Sequence, residues 1–340
     1  MVDSKFHTPV KIPKIPWETG YQKKNIFMGS CFTENVGQKM EDLKYPVDIN
    51  PFGILYNPTS VAEGLKSLLS VRKFGPDDLA GYNGLWHSFS HHGRFSGTDK
   101  DQVLEKINTR IQYSSEFLNT ADFLFITFGT AWIYRYKKTK EIVSNCHKIP
   151  ATEFNRERLS VDEIVETYSA LLPAVWKMNE SLKIIFTVSP IRHWKDGAVE
   201  NQRSKAILHL AIDELQKRFP ERCAYFPSYE IVMDELRDYR FYAADMLHIS
   251  EVAVNHIWQL FEEALIDEES RKLAQKVQKI RSAAAHRPIN KSTPEFRKFI
   301  KKIYNDILEL EIEFPYLNLK LEKEHFTRNL EKTGGVHSKK

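Results

Sequence analysis

Three residues in this 340-residue chain have the types and context for acyl-transfer chemistry. Ser30 follows Gly29 where a short apolar run, Asn25-Ile-Phe-Met28, gives way to a helix-like segment from about Glu34 to Lys44. A tight strand-to-helix junction exposes a side-chain oxygen at the top of a sheet and points the first helical N–H groups at whatever that oxygen attacks. A serine hydroxyl becomes a nucleophile only when a base takes its proton, and an imidazole of pKa about 6.5 suits that task at neutral pH. His248 lies three residues after Asp245, close enough for the carboxylate to orient the ring and stabilise its protonated form. Each motif alone is commonplace, a helix cap or a chance Asp-x-x-His. Their shared placement at strand-end loops is what singles them out.

The elements that must position them can be read from periodicity. Phe123-Leu-Phe-Ile-Thr-Phe128, Lys183-Ile-Ile-Phe-Thr-Val188 and Cys223-Ala-Tyr-Phe226 are further continuous apolar runs, each preceded by an amphipathic helical pattern. Continuous apolar strands one helix apart imply a parallel sheet covered on both faces, hence an α/β fold built as a three-layer α/β/α sandwich. Residues 131–147 read as a hairpin inserted after the second main strand. Ser250 is expected to cap a helix running on toward Ile280, and Thr293-Pro294-Glu295 to start another whose apolar face is Phe299, Ile300, Ile303, Ile307 and Leu310. The residues from Lys332 on have nothing to bury and are expected to be disordered.

Ligands of open α/β sheets sit beyond the carboxyl ends of the strands. The residues there are Gly29, Ser30 and Cys31 after the first run, Gly129 and Thr130 after the second, and Ser189, Arg192 and His193 after the third. Arg192 and His193 could contact an anionic or sugar substrate. Cys31 is an alternative nucleophile, but its side chain should point away from its neighbour's, which favours a buried structural thiol. His87, His91 and His92 lack the Glu of His-Glu-x-x-His and read as packing or substrate-loop histidines, so no metal is expected. No glycine-rich phosphate loop is present and no cofactor is expected.

Composition excludes other classes. With 42% hydrophobic residues, 15 Pro and 14 Gly, the chain is neither disordered nor fibrous. Its longest strongly apolar stretch, 123–134, is shorter than the roughly 20 residues needed to span a bilayer. Three widely spaced cysteines fit a reducing compartment, and the N-terminus lacks a signal-peptide h-region, so a cytoplasmic, non-membrane protein is expected. The net charge of +4 hides an asymmetry, because residues 271–340 hold 17 Lys/Arg against 8 Asp/Glu. A division follows into residues 1–268, an α/β/α domain, and 269–340, a basic helical extension. The extension is expected to pack against the acidic body rather than to bind nucleic acid.

The ordered motifs Phe27-Met-Gly-Ser-Cys-Phe32, Asn50-Pro-Phe-Gly-Ile-Leu-Tyr-Asn-Pro58, Phe128-Gly-Thr-Ala-Trp132, Asn145-Cys-His-Lys148, Ser189-Pro-Ile-Arg-His193, Pro227-Ser-Tyr-Glu-Ile231 and Asp245-Met-Leu-His248 resemble the GSCFA family over about residues 20–265. That family is placed in the SGNH (GDSL-like) hydrolase superfamily. The resemblance implies a flavodoxin-like sandwich and a Ser-His-Asp esterase acting on a small-molecule or carbohydrate ester, with acetate as one possible acyl group. Carried over by motif, Ser30 is the nucleophile, His248 the base and Asp245 its orienting carboxylate. Gly53 and the Ser30 N–H are implied as oxyanion donors. The chain departs from the superfamily pattern at Met28-Gly29-Ser30, which lacks an aspartate before the serine, and after Gly129, where the usual asparagine is absent. Thr130, Asn50 and Asn57 are the candidates to replace it. The departure also motivates an alternative, a catalytically silent ligand-binding protein on the same scaffold.

Overall fold

Asn25–Gly29 is buried along its whole length and forms β1 of a five-stranded sheet. The computed structural model describes residues 8–334 apart from 287, 289, 291 and 292. After β1 come α1 (Cys31–Asp42), β2 (Val47–Ile49) and α2 (Pro58–Leu69), then a hairpin of β3 (Leu79–Tyr82) and β4 (Leu85–Ser88). Next are α3 (Lys100–Asn119) and β5 (Phe123–Phe128). A small antiparallel sheet follows, of β6 (Trp132–Tyr136), β7 (Ile142–Val143) and β8 (Phe154–Arg158). The core continues with α4 (Val161–Met178), β9 (Lys183–Val188), α5 (Gly197–Arg218) and β10 (Cys223–Tyr225).

The main sheet has the order β10-β9-β5-β1-β2, with every pair parallel. This is the flavodoxin-like order, and it reverses direction between β1 and β5, the point at which open α/β sheets bind ligands. The pleat divides the core. Ile26, Met28, Leu124, Ile126, Ile184 and Phe186 face α2–α5. Phe27, Phe123, Phe125 and Ile185 face α1 and the C-terminal helices, which completes the three-layer α/β/α sandwich.

Beyond the sheet lie α6 (Glu251–Leu265), α7 (Glu268–Ala285), α8 (Pro294–Glu313) and α9 (Lys320–Gly334). The expected single helix from Ser250 toward Ile280 is instead two. Ile266 leaves helical geometry to bridge Thr19, whose N–H donates to Leu265 O and whose carbonyl accepts from Asp267 N–H, and Asp267 then caps α7 through Ser270 N–H. Thr293 caps α8 with Pro294 in its first turn. Val277, Ile280, Ile300 and Ile307 are buried in the cluster that also holds Phe27 and Phe125, so the basic helices dock by their apolar faces. Each such side chain contributes about 1.5–3 kcal/mol. Phe299, expected on that face, is instead 37% exposed. Residues 332–334 close α9 instead of being disordered, and the rest of the expected tail lies outside the described residues. Among the described residues no helix is long and apolar enough to cross a membrane.

Candidate active site

The reversal between β1 and β5 opens a cleft of about 430 Å³. Its lining includes Ser30 and Cys31 from the end of β1, Thr130 from the end of β5, Arg192 and His193 from the end of β9, and His248. Six residues spread over more than 200 positions in sequence, five of them at strand ends, therefore share one cavity. A further cavity of about 550 Å³ between α2 and the β6–β7 hairpin has neither histidine nor cysteine in its lining.

Ser30 is the N-cap residue of α1, but its side chain makes no capping hydrogen bond. The residue is 1% exposed and its Oγ has no hydrogen-bond partner. Serine is favoured at N-caps because its oxygen satisfies an orphan helix N–H, at about 1 kcal/mol, so a buried hydroxyl that forgoes the bond needs another explanation. The turn beneath it is tightly built. Gly29 has φ 145°, and a methyl there would lie 2.2 Å from Thr127 O, so only glycine fits. The Gly29 N–H donates to Asn50 Oδ1 at 2.9 Å, and its carbonyl accepts from Leu55 N–H at 2.9 Å.

Asp245 and His248 form a pair beside the cleft, of which only His248 lines it. His248 Nδ1 lies 2.5 Å from Asp245 Oδ2, while Asp245 Oδ1 accepts from the N–H groups of Leu247 and His248 at 3.0 and 2.9 Å. Met246, at φ 59°, closes this turn. The hydrogen bond from His248, with those from the two amides, holds the Asp245 carboxyl down at about 2. The imidazole side chain is 57% exposed. Ser30 and His248 line the same cleft without a hydrogen bond between them.

The expected oxyanion donors are placed differently. The Gly53 N–H donates to Asn50 O at 2.8 Å, and a methyl on Gly53 would strike His92, so this glycine serves a turn outside the cleft lining. Asn50 lies behind Gly29 and braces it, and it too is absent from the lining. The N–H groups of Gly129 and Thr130 both donate to Tyr56 O, at 2.7 and 2.9 Å. The Thr130 hydroxyl sits 3.1 Å from Ser204 Oγ and accepts from Trp132 N–H. Asn57 lines the cleft, but its Oδ1 caps α2 through Ser60 N–H. The Ser30 N–H reaches Thr127 O at 3.3 Å. The backbone N–H groups among these are all engaged, and Asn50 Nδ2, buried without a partner, lies outside the cleft lining.

Cys31 was expected to turn away, yet it lines the cleft beside Ser30, because the first turn of α1 carries both to the same opening. Burial pushes its thiol up, so it is protonated at neutral pH. Cys146 also lines the cleft, and burial pushes it up to about 11. Arg192 donates only to Met233 Sδ, at 3.3 Å, and has no carboxylate partner among the described residues. The histidine cluster packs: His91 Nδ1 lies 2.8 Å from Ser88 Oγ, His147 Nε2 lies 2.7 Å from Ser88 O, and the His87 and His147 rings stack at 4.5 Å. Among the described residues no three His, Cys, Asp or Glu side chains could hold a metal ion.

Sequence reasoning missed Lys205. It is fully buried in α5, and Nζ donates to Gly129 O and Ser189 O, both at 2.6 Å, tying the ends of β5 and β9 together below the cleft. Burial pushes its ammonium down to about 7. The signal was available, because Asn201, Ser204, Lys205, Leu208, Ala211, Ile212 and Leu215 form one stripe at helical spacing. Lysine at a core position of such a stripe marks a buried amine. Tyr56, Trp132 and Trp194 in the cleft wall were also missed, as their positions depend on loops.

The fold is a doubly wound α/β/α sandwich whose switch-point cleft is lined by Ser30 and His248. The chain belongs to the GSCFA family, which it matches over residues 24–261, and residues 277–332 match the C-terminal domain of GSCFA domain proteins. No curated protein matches it. Among solved structures it is similar to an acetyl xylan esterase from the rumen bacterium Butyrivibrio proteoclasticus, at 10% identity and a TM-score of 0.35. The match covers 72% of this chain and 64% of the esterase's length.

Proposed function

We propose that the protein is a serine esterase of SGNH type that hydrolyses an acyl ester of a small molecule or carbohydrate. The observation that carries this reading is the buried Ser30 Oγ, unbonded at a helix N-cap, in the same cleft as the Asp245–His248 pair. In this reading Ser30 Oγ attacks the ester carbonyl while its proton passes to His248 Nε2, the ring nitrogen that Asp245 leaves free. Asp245 stays ionised and steadies the imidazolium. The same proton then goes to the departing alkoxide, and water repeats the sequence on the acyl-enzyme. Hydrogen bonds of this kind are often long before substrate binds and tighten in the complex, so the open Ser30–His248 approach is compatible with it. The imidazole is 57% exposed at the cleft, with Nε2 left open by the bond from Nδ1 to Asp245. The separate matches at 24–261 and 277–332 support a division near residue 268 into a catalytic sandwich and a helical buttress.

Hydrolysis of p-nitrophenyl acetate tests the reading. Wild type is expected to turn over, with Ser30→Ala reduced at least 10³-fold. Equal rates in the two proteins would remove it. The engagement of the Gly129 and Thr130 amides by Tyr56 O favours one rival, a silent binding protein on this scaffold. That rival requires no turnover by wild type across a broad ester panel, with ligand binding retained in His248→Ala.

A further inference from the structure

If Ser30 attacks a carbonyl, the oxygen that becomes negative needs a donor, and the expected backbone candidates are occupied. One side-chain nitrogen in the cleft lining approaches the ends of β1 and β5 closely, Nε2 of His193. A methyl placed on Gly129 would lie 3.2 Å from His193 Nε2 and 3.4 Å from Ser30 Cβ. A side chain at Gly129 would crowd both groups, so the carbon bearing the Ser30 hydroxyl and the His193 imidazole nitrogen approach each other across the bare Cα of this glycine. Tyr56 O lies 3.0 Å from the same methyl position, but it is an acceptor that already holds two amides, so the donor this corner offers is on His193.

The imidazole is held in place. Its backbone N–H donates to Asn201 Oδ1 at 2.9 Å, and its ring meets the Tyr56 ring edge-on at 5.4 Å. Neither ring nitrogen has a hydrogen-bond partner among the described residues, and the residue lines the cleft. Burial, with the nearby charges of Lys205 and Arg156, pushes this imidazole down to about 4. It is neutral at pH 7, so one ring nitrogen carries a proton to donate and the other none to lose. A neutral imidazole can stabilise a developing oxyanion by donation alone.

We propose that His193 Nε2–H is the oxyanion donor of this site, taking the duty of the asparagine that is absent after Gly129. The inference rests on the Ser30 esterase reading. As the Ser30 Oγ–carbon bond forms, the carbonyl electron pair moves onto oxygen, which accepts the Nε2 hydrogen bond. His193 transfers no proton, and the base remains His248.

Steady-state kinetics on p-nitrophenyl acetate with His193→Ala, His193→Asn and His193→Gln test this, with circular dichroism melts confirming that each folds. Loss of a single donor lowers kcat by about 10²–10³-fold. His193→Ala is expected to fall by that factor with KM changed less than threefold. His193→Asn or His193→Gln, which restores an amide donor but no base, is expected to recover at least tenfold of the loss. If both amide variants are as slow as His193→Ala while folded, His193 is a base or a packing residue and the inference fails. It fails also if His193→Ala keeps wild-type kcat. A wild type that reacts at Ser30 but ignores His193 overturns the inference alone. A wild type that neither turns over nor reacts with a fluorophosphonate overturns the esterase reading and this inference with it.

Discussion

Lys205 Nζ donates to the carbonyl oxygen of Gly129 at 2.6 Å from a fully buried position, with no carboxylate partner among the described residues. An unpaired buried ammonium is costly, and it is tolerated here because its hydrogen bonds hold two strand ends that shape the cleft. Lys205→Met keeps the side-chain volume and removes both bonds and the charge. The expected outcome is a fall in kcat of about tenfold or more, as a misplaced Gly129–Thr130 segment spoils the geometry around Ser30. Stopped assays under saturating ester check it, and an unchanged kcat in a folded variant would make Lys205 purely structural.

The same lysine has a signature in stability against pH. Its folded pKa is depressed to about 7 from 10.5, so between those values the unfolded chain binds the extra proton and the native state does not. Stability contributed by this group therefore rises with pH across that window, and the penalty is fully present below it. Urea titrations of wild type and Lys205→Met at pH 7.0 and 9.5 are expected to show wild type gaining on the variant at the higher pH. A gap that is constant or moves the other way contradicts the buried, depressed ammonium.

Asp245 behaves oppositely. Its hydrogen bonds hold the carboxyl at about 2, so its charge is lost only as pH falls through that value. The kcat/KM profile is therefore expected to show no step from this carboxylate between pH 3.5 and 5. Asp245→Asn removes the ring's orientation and is expected to lower kcat on the order of 10²–10⁴-fold, as loss of the orienting carboxylate does in serine hydrolases. A variant within threefold of wild type would mean that Asp245 is not the orienting group.

Gly29→Ala places a β-carbon 2.2 Å from Thr127 O at φ 145°. Backbone strain of this kind costs about 1–3 kcal/mol before the clash is counted, so a loss of at least about 2 kcal/mol is expected in chemical denaturation. A stable Gly29→Ala would mean that the turn under Ser30 is softer than its geometry indicates.

Much of this architecture was legible in the sequence, for a physical reason. β1, β5, β9 and β10 are covered on both faces, so they read as continuous apolar runs ended by small residues, and Ser30, Gly129 and Arg192 follow from where those runs stop. β2 escaped notice because it is three residues long and carries Asp48, whose charge is answered by Arg110 from a distant helix. β8, rich in charge, pairs outside the main sheet. The break at Ile266 left no mark on the apolar pattern because its cause, the bridge to Thr19, lies almost 250 residues away. Gly53 illustrates the limit of carrying a role over by motif. Its φ of 76° serves the turn at Asn50, and its N–H is engaged there. That Lys205 ties Gly129 to Ser189, and that His193 lies against Gly129, depends on the packing of α5 and β9 against β5, which the helical stripe and the strand end do not by themselves reveal.

The proposed reaction makes Ser30 the nucleophile of this cleft. Reaction of the wild-type protein with a fluorophosphonate, followed by mass spectrometry of the peptide spanning Gly29–Phe32, tests it most directly. The expected result is one covalent adduct on Ser30 Oγ, absent in Ser30→Ala and slowed strongly in His248→Ala. An adduct on Cys31, an adduct that persists in Ser30→Ala, or no adduct at all would contradict it.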